Sequence, residues 1–434
     1  MTMPLRSKDR DALLQSLRAG VVPRVGQQLI QVGRSREIES VIRDVERIAE
    51  GGSAFRVVIG PYGAGKSFFL NLVRGIALEK KLVVAQVDLT PDRRLQASGG
   101  QARALYAELM HSLATRTKPD GGALPAIVEK FITTSQGEAA EQGRPIEQMI
   151  RQKLEQLREL PGGYDFAEVI AAYWRGHDQD QDSLKSDAVR WLRGEFSTKT
   201  DARHALGVRS YVDDAAFYGQ LKLIARFVRL AGYGGLLICL DEMVNLYKIA
   251  NSQARNANYE QILGILNDSL QGAAVGLGFM LGGTPEFLQD PRRGLYSYPA
   301  LESRLAQNRF VTGDLVDFSG PELRLASLTP EDFYQLLYKL RQVFYGDAAK
   351  SPLLPDAALT GFMDYCAERI GDAYFRSPRN TITSFLNLLA VLEQNPTSDW
   401  LALLGRISVT ADTGNDANLT VTTNAEQELA SFKL

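Results

Sequence analysis

Val57-Val58-Ile59-Gly60-Pro61-Tyr62-Gly63-Ala64-Gly65-Lys66-Ser67-Phe68-Phe69-Leu70 is the stretch on which the reading of the whole chain turns. Its apolar start has the character of a buried parallel strand, its centre spells G-x-x-x-x-G-K-S, and its end begins an apolar helix. That order suits the phosphates of a nucleoside triphosphate. Backbone N–H groups within Gly60–Phe68 (Pro61 has none), at the turn and the helix N-terminus, can surround the β- and γ-phosphates, where the helix dipole favours negative charge. Lys66 adds a positive charge against them, and the Ser67 hydroxyl is a magnesium ligand by type. An ordinary glycine turn is the plain alternative. The strand before it and the helix after it weigh against that alternative.

Such a turn needs a partner strand that brings a carboxylate to the magnesium shell. Gly235-Leu236-Leu237-Ile238-Cys239-Leu240-Asp241-Glu242 fits, with an apolar run ending in two acids where a parallel strand meets its ligand. Asp241 is expected to hold Mg2+ and Glu242 to act as general base on water, which points to hydrolysis beyond binding. A further strand, Leu277–Gly283, ends in Thr284 before Pro285-Glu286 opens a helix. In P-loop ATPases of the additional-strand class a polar residue here senses the γ-phosphate. Thr284 reads equally as that sensor and as the cap of the helix.

Ala300-Leu301-Glu302-Ser303-Arg304-Leu305 resembles the Ser-Arg-Cys element of clamp-loader subunits, whose arginine reaches a neighbour's nucleotide. The planar, permanently charged fork of Arg304 suits that task. A surface salt bridge is the bland reading, and Arg292, Arg293 and Arg309 compete for the role. Thr329-Pro330-Glu331-Asp332 is a helix start, followed by apolar residues at helical spacing from Phe333 to Phe344. Ser377-Pro378-Arg379 is another. Arg379 falls in a first helical turn, where the dipole disfavours a cation unless an anion is near. It is either a second sensor that closes a helical lid on the triphosphate or a solvent-facing arginine. Upstream, Val32 and Gly33 precede Arg34-Ser35-Arg36-Glu37-Ile38, a segment with which related ATPases cover adenine. Val32 and Gly33 are expected against the base, and ATP is preferred because no N/T-K-x-D guanine-reading motif stands out.

Roughly 145 residues separate Asp88 from Leu236, far beyond an ordinary connection. Helical stripes recur through them, broken at Lys118–Gly122, Leu160–Gly163, Gly176–Asp182 and Ser197–Ala202. The expected fold is therefore α/β: a P-loop parallel sheet of the additional-strand class with a helical lid and a large inserted α-helical subdomain. The expected divisions are 1–90 and 233–326 for the two parts of the core, 91–232 for the insertion, 327–395 for the lid and 396–434 for a polar tail or hairpin. The hairpin would pair Ile407–Thr410 with Leu419–Thr422.

A formal net charge of −2 supplies no global basic field, so any contact with DNA needs a local basic face. Cys239 and Cys366 are the only cysteines, and Cys239 lies in an apolar run, so a disulfide framework or zinc site is unsupported. Met1–Arg10 is polar, and no apolar run approaches eighteen residues. No membrane association and a cytoplasmic setting are the expectations.

Together these residues resemble the ATP-binding proteins of BREX-type phage-defence loci, AAA+ ATPases related to origin-recognition ATPases. The likeness rests on Val32-Gly33-Arg34, Gly60-Pro61-Tyr62-Gly63-Ala64-Gly65-Lys66-Ser67, Arg190-Trp191-Leu192-Arg193-Gly194-Glu195, Ala231–Leu236 running into Asp241-Glu242, and Ser377-Pro378-Arg379. It spans about residues 15 to 395. It implies antiviral defence, ATP use with Mg2+, work beside a helicase or other defence-locus partner, and DNA as the ultimate object. Three readings follow. One is an ATP-hydrolysing homo-oligomer with nucleotide sites shared between subunits. A second is an ATP-gated switch that recruits a helicase or nuclease with slow turnover. A third is a structural subunit that binds ATP mainly for stability.

Overall fold

Seven consecutive buried residues, Ser53–Ile59, form strand β1, an interior strand of a parallel sheet. The computed structural model of the chain describes residues 6–311, 315–346, 354–370 and 378–405. The proposed hairpin and Ser377 lie outside them. The other strands are β2 (Val83–Asp88), β3 (Leu236–Asp241), β4 (Leu277–Gly283) and β5 (Glu322–Arg324). Their order is β2-β3-β4-β1-β5, and every pairing is parallel. β4 therefore stands between the strand that feeds the glycine turn and the strand that carries the acids. A parallel neighbour requires a crossover, so each strand is followed by helix before the next.

The chain divides into two units. The larger comprises Arg34–Gly60 and Lys66–Leu325 and contains the sheet. Alternate strand residues face opposite sides. On one side Val58, Val84, Leu237, Cys239 and Met280 pack with Val41, Val45 and Ile48 of the helix Ser35–Ala49 and Phe69, Leu70 and Val73 of the helix Lys66–Glu79. On the other side Val57, Ala85, Ile238 and Phe279 join one continuous apolar cluster with Leu105, Leu109, Phe131, Phe166, Trp191 and Phe227. The long segment between β2 and β3 thus shares its core with the sheet. Phe227, on the helix Phe217–Leu230, is the hinge of that packing, with ring centroids 5.1 Å from Phe131 and 5.5 Å from Phe166.

One charged residue interrupts β1. Arg56 is 5% exposed, and its Nε donates to the buried Asp44 carboxylate at 2.6 Å. Its Nη1 donates to the Phe318 carbonyl at 2.8 Å and also to that of Gly320. A buried guanidinium is tolerable only when paired and hydrogen-bonded in this way, and here it ties the approach to β5 onto β1.

The smaller unit comprises Met1–Gly33, Pro61–Gly65 and Ala326–Leu434. It is helical: Ser7–Arg18, Pro330–Tyr345, Asp356–Ile370, Pro378–Gln394 and Trp400–Leu404. Thr329 and Asp332 form a reciprocal capping box at the start of Pro330–Tyr345. Phe333, Leu336, Leu337 and Leu340 are buried on that helix, and Phe385, Leu386 and Leu389 on Pro378–Gln394. The sequence divisions joined the N-terminal residues to the core. In the structure residues 6–33 group with these helices, because Leu13 and Leu17 are buried there. Within the stretch after residue 396, where the sequence suggests a polar tail or hairpin, a short helix, Trp400–Leu404, is present with Asp399 as its N-cap.

Candidate functional site

β1 ends at Ile59, and Gly60 donates its N–H to the Gly283 carbonyl at 3.3 Å, which fixes where the turn leaves the sheet. Gly63 and Gly65 have φ of 76° and 83°, in the region open to glycine, so backbone geometry accounts for glycine at these two positions of the turn. The Ala64 N–H donates to the Pro61 carbonyl at 3.2 Å. Lys66 and Ser67 open the next helix, with Phe68 behind them. The Lys66 Nζ donates to the Gly60 carbonyl at 2.8 Å, across the mouth of the turn.

The structure brings Ser67 and Asp241 together. The Ser67 hydroxyl donates to the Asp241 carboxylate at 2.5 Å, although 174 positions separate them in the chain. Asp241 is 4% exposed and its other oxygen accepts the Glu242 N–H at 2.8 Å. Room for it comes from β4. A Cβ at Gly282 would lie 2.5 Å from the Asp241 carboxylate, so this strand end has no space for a side chain. Glu242 takes a positive φ of 56°, uncommon for a residue with a side chain. It is locked there by Met243, whose N–H donates to the Gly282 carbonyl at 3.1 Å, and by Asn245, whose N–H donates to the carbonyl of Glu242 at 2.9 Å. Backbone strain of this kind gathers at functional positions.

A third carboxylate stands beside these two. Asp88 is in register with Asp241 across β2 and β3. Burial, then the negative charges of Asp241 and Asp88, push the Glu242 carboxyl above its usual range, while Lys66 and Lys248 pull it down. Asp88 is raised by burial first and Asp241 second, against the opposing charge of Arg93. Both residues keep substantial exposure, so solvent moderates these effects. Sequence spacing alone assigns Asp88 no role. The rule that singled out Asp241, an acid at the carboxyl end of a parallel strand, applies to it equally.

No group of three or more His, Cys, Asp or Glu side chains that could hold a metal by themselves occurs among the described residues. The arrangement still fits magnesium, which takes one or two protein oxygens and completes its shell with phosphate and water. Ser67 and Asp241 are oxygen donors already in contact, in a locally acidic setting that a divalent cation would relieve.

The remaining candidates are placed as follows. Thr284 accepts the Phe287 N–H on its hydroxyl at 3.3 Å and so caps the helix Pro285–Gln289. Arg304 is exposed on the helix Pro299–Leu305 and donates to the Ala300 carbonyl at 2.8 Å. Of its competitors, Arg293 is occupied internally: it donates to the Tyr247 and Ile249 carbonyls and lies over the Tyr247 ring. Arg292 and Arg309 are exposed. In the smaller unit, Val32 and Gly33 sit where Gln31 Nε2 donates to the Gly33 carbonyl at 2.8 Å and Lys339 Nζ donates to the Gln31 carbonyl at 2.6 Å. Gly33 has a φ of 60°, and a Cβ there would come within 2.9 Å of the Asp332 carboxylate. In the same unit the Arg379 guanidinium lies 5.4 Å from the ring centre of Tyr62.

A parallel sheet with a glycine-lysine-serine turn on β1, paired acids ending β3 and an interposed β4 defines an α/β protein of the P-loop nucleotide-binding kind. The chain belongs to a family within that class, the BREX system ATP-binding proteins BrxC/D, which matches residues 5–407. It is thus an ATP-binding protein of a phage-defence system. No individually curated protein matches it. No helix among the described residues is long and apolar enough to cross a membrane.

Proposed function

We propose that this protein is an AAA+ ATPase that binds ATP with Mg2+ and hydrolyses it, in homo-oligomers, to drive work on DNA with a helicase or other defence-locus partner. The observation that carries the reading is the Ser67–Asp241 contact, with Glu242 held beside it in an uncommon backbone conformation. In this reading the turn from Gly60 to Ser67 binds the triphosphate through its N–H groups, and Lys66 exchanges its Gly60 carbonyl for phosphate oxygens. Ser67 and Asp241 hold the magnesium ion, which offsets charge on the phosphates when bound. Glu242 accepts a proton from the attacking water, a task favoured by a carboxyl raised above its ordinary range. Thr284 orients that water or the terminal phosphate while its hydroxyl continues to cap its helix. Arg304 is the exposed arginine offered to a second copy, Arg379 the one drawn toward the triphosphate, and Val32 and Gly33 cover the adenine.

The deciding experiment is light scattering after size exclusion, with and without ATP and duplex DNA, on the wild-type chain and Glu242→Gln, alongside turnover of wild type and Arg304→Ala. Assembly stabilised by ATP in Glu242→Gln, with Arg304→Ala losing turnover only in the assembled state, supports shared sites. A monomer at micromolar concentration whose turnover ignores Arg304→Ala removes them. Direct DNA contact requires affinity that falls steeply with salt. A flat response places that contact on the partner.

A further inference from the structure

A turn that cradles phosphate through backbone N–H groups has no need of an aromatic side chain. Tyr62 is nevertheless 45% exposed at the tip of that turn. One face of its ring is covered by Arg379, whose guanidinium carbon lies 5.4 Å from the ring centre, and whose Nη1 donates to the Tyr62 hydroxyl at 3.4 Å. Both residues belong to the smaller unit. The stem of Arg379 runs past Gly20, where an added Cβ would stand 3.4 Å from its Cδ. Arg379 is the second residue of the helix Pro378–Gln394, where the dipole opposes a cation, and it forms no ion pair among the described residues. Among the described residues its charge is met by the Tyr62 ring and hydroxyl.

We propose that Tyr62 is a positioning residue that parks Arg379 on the turn and makes its release depend on the γ-phosphate. The inference rests on the nucleotide-binding reading above. A cation over a tyrosine ring at an exposed site is worth about two- to five-fold in an equilibrium, enough to hold the guanidinium but not to keep it from a multiply charged anion. ATP, with one more phosphate than ADP beside the same turn, competes for the guanidinium more strongly. Tyr62 then sets how sharply the helix Pro378–Gln394 distinguishes the two nucleotides.

The test uses the full chain as wild type, Tyr62→Phe, Tyr62→Leu, Arg379→Ala and the Tyr62→Leu/Arg379→Ala pair. Dissociation constants for ATP and ADP are measured together with amide hydrogen exchange over residues 378–394 without nucleotide. Tyr62→Leu is expected to tighten ATP over ADP by about two- to five-fold and to speed exchange in the first turn of the helix, while Tyr62→Phe, which keeps the ring, stays near wild type. Both effects disappear when Arg379 is alanine. Equal shifts for ATP and ADP, or a Tyr62→Leu effect that survives without Arg379, overturn the inference and leave nucleotide binding intact. If the wild type binds neither nucleotide at millimolar concentration, the nucleotide-binding reading falls, and with it the inference.

Discussion

Asp241 and Arg379 carry opposite charges in opposite circumstances. Asp241 ends a central strand, is almost fully buried, and is held from both sides by the Ser67 hydroxyl and the Glu242 N–H. Arg379 stands exposed in a first helical turn, over a tyrosine ring to whose hydroxyl it donates a long hydrogen bond. The first is positioned by backbone ladders that form with the sheet and do not change without unfolding it. The second is positioned by contacts weak enough to be traded for a ligand. A carboxylate fixed by strand pairing cannot be traded for a ligand without loss of the sheet, whereas a cation held by weak contacts can.

That comparison can be broken first at Glu242. Glu242→Gln is expected to lower ATP turnover roughly 100- to 10,000-fold while leaving ATP affinity within a few-fold, as general-base loss does. Phosphate release and nucleotide titration check the two halves, and equal losses in both would falsify the assigned base role. If Lys66 meets phosphate as proposed, Lys66→Ala is expected to weaken ATP binding about 100-fold, read by equilibrium titration.

The fixed side can also be attacked through a residue that touches no ligand. Gly282→Ala forces a methyl into the space of the Asp241 carboxylate, and a destabilisation of about 1–3 kcal/mol is expected from urea unfolding, with turnover reduced. An unchanged midpoint would mean that the strand end is roomier than the geometry requires.

The smallest effect is at Asp88. The folded-state pKa values of Asp88 and Glu242 lie above their ordinary ones, so the folded protein binds these protons more tightly than the unfolded chain. Their contribution to stability is intact below the unfolded carboxylate range and is lost as pH rises through the raised values. Asp88→Asn removes one of the charges raising Glu242. The acid limb of turnover is expected to move to lower pH, and the protein to gain up to about 1 kcal/mol at pH 7, discounted for exposure, a gain that fades below about pH 4. Rate–pH profiles and melting at the two pH values test both statements.

The local half of this protein was written in its sequence. The glycine turn, the acids ending Leu236–Asp241, the cap at Thr329 and the apolar stripes all depend on neighbours within a turn or a strand, and each is visible as a short pattern. What the sequence left open depends on partners far away in the chain. The placement of β4 between β1 and β3, the register that sets Asp88 against Asp241, and the requirement for glycine at 282 all come from strand pairing, which no local pattern specifies. The helices between β2 and β3 have stripes that a self-contained bundle would share, so only packing decided that Phe131, Phe166 and Trp191 join the core beneath the sheet. Residues 6–33 followed the same rule, finding buried places for Leu13 and Leu17 among the C-terminal helices. Local chemistry named the residues, and long-range burial and hydrogen bonding chose which of them meet.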